Sequence, residues 1–161
     1  MLARWIRSGQ VGPGEFDAAS LRLAVAQPRH AAPILLWGEA AASYPFALIA
    51  PQRFAPGKRW RWAAWALAAA VAAYRQFGVR AYLQDDALWL HGQRVAETSV
   101  ALAGECVVVA SAFLMSFPSS CVATPSRELE QAFRLRLEAQ HGWQFEHSWP
   151  SGAELPALAA A

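Results

Sequence analysis

At 161 residues the chain suits one domain and is long enough to bury a real core. Its 14 basic and 12 acidic residues leave a net charge of +2, and with no run of Lys or Arg this argues against a nucleic-acid surface. Only 16% of residues are charged and 55% are hydrophobic, with eight Trp, a composition that points to a partner surface or an open pocket.

In chain order, "ARWIRSG" alternates as a short strand and "GQVGPGEFD" forms a Gly- and Pro-rich turn. Asp17 is expected to cap a helix over "AASLRLAVA", which Pro28 stops. "PILLW" (33–37) and "FALIA" (46–50) read as buried strands joined by "GEAAASYP". After "APGKRW" an Ala-rich helix is expected from about Arg59 to Phe77, with Trp62, Trp65, Ala69, Ala72 and Ala73 as its apolar stripe and Gly78 as its cap. Its uncharged stretch, residues 62–74, is too short for a bilayer, which needs roughly 20 residues.

"RAYLQ", "ALWLHG", "RVAETSVAL" and "ECVVVASAFLM" then read as four strands of an antiparallel meander. A second helix is expected from Thr124 and Pro125, with Leu129, Ala132, Phe133 and Leu137 on one face and Gly142 at its end. "WQFEHSW" reads as a last strand. The expectation is one α+β domain over residues 1–150, a mostly antiparallel mixed sheet packed with about three helices, followed by a C-terminal tail at 151–161. The N-terminus has no signal-peptide core, and Cys106 and Cys121 have no CxxC spacing, so a reduced, cytoplasmic setting is expected. The four His have no ligand spacing, and no metal site is expected.

This order, with "RWIRSGQVGPGEFDAASLRLA", "PILLWGEAAASYPFALIAPQRF", the segment from "AAWALAAAV" to "VVVASAFLM", and "LEQAFRLRLEAQHGWQFEHSWP", resembles the lipoate protein ligases, biotin protein ligases and octanoyltransferases. The resemblance covers nearly the whole chain, in pattern more than in motif. It implies the biotin/lipoate ligase fold and, in an active member, lipoate or octanoate and ATP as ligands and a lipoyl or biotinyl carrier domain as partner.

The departures from the family bear on chemistry. Where the family carries a basic, Gly-rich segment around the acyl chain and phosphates, only "APGKRW" remains, leaving Lys58 and Arg59, with Arg53 just before them, as the cations for a bound ligand. Alternatively, this is a solvated turn whose Trp side chains anchor the next helix. Asp86 stands at the family's Asn position, Ala87 at its Asp, Arg94 at its lysine and Glu97 at a Gly. A guanidinium is larger and more rigid than an ammonium, and a carboxylate at position 97 would repel an adenylate. Arg94 is either an anion-binding residue of an inherited pocket or a solvated strand-edge arginine. It pairs with Glu97 only if a bulge brings the two to one side of the strand. The Asp85–Asp86 pair reads as a metal-holding pair or as a turn. Cys121 stands near the octanoyltransferase nucleophile but follows Ser120 rather than Pro, and the lysine that partners the thiol is absent.

Three readings follow. The first is a degenerate ligase-like binding module without ATP-dependent ligation. The second is an active acyltransferase with Cys121 as nucleophile and Arg94 orienting the acyl group. The third is a subunit of a protein complex with no small ligand.

Overall fold

The computed structural model describes residues 1–12, 14–115 and 126–159. Its centre is a six-stranded mixed sheet in the order β7-β8-β3-β2-β1-β9, built from β1 (Leu2–Gln10), β2 (Ile34–Glu39), β3 (Ser43–Pro51), β7 (Ser99–Ala103), β8 (Cys106–Leu114) and β9 (Gln144–His147). β1 runs parallel to both β2 and β9, and the remaining pairs are antiparallel. A second, three-stranded antiparallel sheet holds β4 (Ala81–Gln84), β5 (Ala87–Leu90) and β6 (Gln93–Ala96).

Alternation along the central strands divides the core in two. Leu35, Trp37, Phe46, Leu48, Val107, Val109 and Phe113 point to the side covered by α2 (Trp62–Gln76) and α3 (Ser126–His141). Ile34, Leu36, Ala47, Ile49, Val108 and Ala110 point to the side covered by α1 (Glu15–Val25) and the short α4 (Leu155–Ala159). The first side is filled by rings: Phe133 stands 4.6 Å from Phe46 and 5.1 Å from Phe113 between centroids, with Trp37, Tyr44 and Tyr74 around them. Tyr74 also reaches the sheet with its hydroxyl, which accepts the Leu114 N–H at 3.0 Å. No helix among the described residues is long and apolar enough to cross a membrane.

Four local expectations change. The run "RVAETSVAL" is not one strand: it breaks after Ala96, so that β6 belongs to the small sheet and β7 to the large one. Asp17 does not cap α1. Gly14, at φ 79°, takes the cap position because it meets no Cβ penalty there, and the Glu15 carboxylate accepts the Gly12 N–H at 3.1 Å. Asp17 lies in the first turn, where its charge suits the helix dipole. The buried face of α2 is wider than the expected stripe: Ala63, Ala66, Leu67, Ala70 and Tyr74 join it, while Trp65 and Ala72 are only half-buried, because the helix packs on both sheets and on α3.

The fourth concerns the segment expected as a tail. Its residues 151–159 fold back onto the domain around Glu154, which is 4% exposed. The Glu154 carboxylate is bidentate to Arg4 of β1 and accepts Gln27 Nε2 at 2.9 Å and the Ser151 N–H at 2.8 Å. Ala157 then seats in the α1-side core.

Candidate functional site

The candidate site is built where the β6–β7 connection crosses the large sheet. β6 carries a bulge: Trp89 lies opposite Arg94 and Leu88 opposite Ala96, which leaves Val95 as the extra residue. The bulge turns Arg94 and Glu97 to the same side, and their charged ends meet at 3.7 Å with the two side chains 52% and 87% exposed. Such a pair contributes little to stability, at most about 1 kcal/mol. Behind it, the Ser111 hydroxyl donates to the Glu97 carbonyl at 3.3 Å and so stitches the connection to β8.

Below this crossing lies a cavity of about 200 Å³, enclosed by the start of α1, the β2–β3 hairpin and β8. Its wall includes Phe16, Asp17, Ser43, Glu97, Ala110 and Ser111. No Lys or Arg lines it among the described residues, so its charged side chains are two carboxylates. The Asp17 carboxyl, shielded by its surroundings although the residue reaches solvent, is held above its ordinary value by desolvation. Asp17 and Ser111 were not singled out as site residues in the sequence. Asp17 looked like an ordinary helix cap, and Ser111 sits unremarked in an apolar strand.

The residues the sequence nominated do not gather here. Arg53 lies past the far end of β3, roughly 25 Å along the strand from Ser43. Its guanidinium donates to the carbonyls of Arg29 at 2.9 Å and Ala31 at 3.5 Å, over the Phe54 ring. Arg59 donates to the Val100 carbonyl of edge strand β7 at 3.0 Å, and Lys58 is exposed just before it. Trp62 is buried and holds the loop through a 2.7 Å bond to the Pro56 carbonyl, whereas Trp60 is 69% exposed. The start of α2 is thus tied to the sheet by Arg59 and to its own loop by Trp62. Asp85 and Asp86 have φ of 51° and 55° and form the two-residue turn of the β4–β5 hairpin, a left-handed pair that Asp tolerates. Arg94 alone stands near the cavity, turned toward Glu97 at the surface. Cys121 lies outside the described residues. Cys106 is a buried core thiol, pushed up mainly by burial.

A mixed sheet with helices on both faces, a small three-stranded sheet beside it and a cavity under the crossing between them define the class: this is the fold of the lipoate and biotin protein ligases. A Thermoplasma acidophilum protein described with bound lipoic acid as a candidate lipoate protein ligase superposes with a TM-score of 0.79, over 99% of this chain and 94% of its own, at 10% identity. The bi-partite lipoate protein ligase of that organism, from a study with its E2 lipoyl domain, gives 0.81 over 99% and 91% at 9% identity. A biotin protein ligase from Aquifex aeolicus gives 0.60 over 88% and 70% at 11% identity. No protein-family model matches the chain, and no curated protein does.

Proposed function

We propose that this chain uses the ligase architecture as a binding module and does not perform ATP-dependent ligation. The observation that carries the reading is the cavity beneath the crossing. At about 200 Å³ it is smaller than the roughly 300–1,000 Å³ of ordinary ligand pockets, and its charged groups are acidic. An acyl-adenylate is large and carries a phosphate anion, and Asp17 and Glu97 would repel it. Arg94, which the resemblance sets at the family's lysine position, stands beside the Glu97 carboxylate at the surface.

The partner in this reading is a lipoyl or biotinyl carrier domain. The bi-partite ligase of T. acidophilum was solved in a study that includes its E2 lipoyl domain, and Trp60 and Trp149, 69% and 81% exposed here, supply aromatic surface of the kind enriched at interfaces. Titrating the isotope-labelled chain with an E2 lipoyl domain and, separately, with a biotinyl carrier domain tests this by amide shifts. The expected result is saturable shifts with at least one domain that persist without ATP. Absence of shifts with both domains at millimolar concentration would replace this reading with that of a subunit bound to some other chain.

A further inference from the structure

We propose that a second cavity, on the α3 side of the sheet, is a binding site for a small carboxylate. It measures about 300 Å³, within the size range of small-molecule pockets, and lies where the parallel strands β1 and β2 end against the first turn of α3. Sites outside the carboxyl ends of parallel strands recur in open α/β sheets.

Gly9 contributes to the open space: it sits at φ 75°, which disfavours any side chain. Gly38 lines the cavity with its backbone, its other face packing against Ser8 and Phe16 on the α1 side, where a Cβ would stand 2.8 Å and 3.1 Å from them. Trp37, 2% exposed, supplies an apolar wall, and its indole N–H has no acceptor among the described residues.

The charges around the cavity decide what it takes. Glu130 is 2% exposed and is bonded by Arg7 through Nε at 3.2 Å and Nη2 at 3.1 Å, so this pair is mutually neutralised. Arg7 is fixed further by stacking over Trp5 at 4.7 Å. Glu39 accepts Gln10 Nε2 at 3.1 Å. Arg127, three residues before Glu130 and so on the same helical face, has no hydrogen bond or ion pair with any described residue. The two lining groups left without a partner among the described residues, the Arg127 guanidinium and the Trp37 indole N–H, are both donors, so a ligand must supply an acceptor, while Glu39 keeps its negative charge. Glu39, which has no cationic partner, opposes a doubly charged anion, and the Trp37 wall favours an apolar body. A monocarboxylate with a short apolar or aromatic body meets all three conditions.

The site is separate from the Asp17–Glu97 cavity and does not depend on the reading given to that one. Benzoate serves as the probe and benzamide as its uncharged counterpart, followed by calorimetry and by amide shifts of the full chain. Benzoate is expected to bind with shifts at Gly9, Gly38 and Glu130. Benzamide is expected to bind at least about tenfold more weakly, as is benzoate to Arg127→Gln, with Arg127→Lys recovering part of the loss. Arg127 is exposed, so these variants leave the core intact. Equal binding of benzoate and benzamide, unchanged affinity in Arg127→Gln, no binding of benzoate, or shifts centred on Gly12, Ser43 and Ser111 instead would each overturn the proposal.

Discussion

Glu154→Ala is expected to lower stability by about 3 kcal/mol and the melting temperature by roughly 10 °C, measured by thermal and urea unfolding at pH 7. The carboxylate is almost fully enclosed and its partners come from β1, the end of α1 and its own turn, so its removal strands the Arg4 guanidinium and frees α4. The bond to Arg4 is the main reason the Glu154 carboxyl falls to about 2, against burial, which acts the other way. A carboxyl whose folded value is depressed stabilises the fold above its unfolded value of 4.5, and that contribution is lost as pH falls toward 2. The wild type should therefore lose about 3 kcal/mol across this window beyond what Glu154→Gln loses. Parallel pH profiles for the two proteins would show that the clamp contributes nothing.

Phe133→Ala is expected to cost about 3–5 kcal/mol, and Phe133→Leu no more than about 1.5 kcal/mol, in the same unfolding measurements. Phe133 is fully buried and ties α3 to the sheet through Phe46, Phe113 and Trp37, so a truncated side chain leaves a hole bounded by rigid rings that cannot collapse into it. A loss below about 1 kcal/mol in Phe133→Ala would mean that the ring cluster is not what holds α3 in place.

Much of this architecture is legible in local pattern. The unbroken apolar runs "PILLW" and "FALIA", the Ala-rich helix and the amphipathic face of Leu129, Phe133 and Leu137 each report burial that their own neighbours create. The bulge in β6 was legible only as a condition, since Arg94 and Glu97 can meet only if one residue is skipped, and the fold meets that condition. The break between β6 and β7 could not, because "RVAETSVAL" has strand-forming residues throughout and the change of sheet is set by tertiary contacts. The packing of the last residues was equally hidden: it rests on Glu154 meeting Arg4, 150 positions away.

The site was legible only in its departures. Glu97 stood out as a carboxylate in the wrong place, and it does line the cavity. Arg53, Lys58 and Arg59 stand out in the sequence by charge; in the fold the Arg53 and Arg59 guanidiniums each donate to backbone carbonyls, and Lys58 is exposed. The Asp85–Asp86 pair was ambiguous because a two-residue hairpin turn and an acidic ligand pair use the same letters.

The proposal that the chain lacks ATP-dependent ligation is tested most directly by native mass spectrometry of the chain after incubation with ATP and lipoate, biotin or octanoate, with Cys121→Ser and Arg94→Ala alongside. The mass of the unmodified chain is expected in every mixture, with no acyl-adenylate retained. A retained adenylate sensitive to Arg94→Ala, or a covalent acyl adduct lost in Cys121→Ser, would contradict it and make the chain an enzyme.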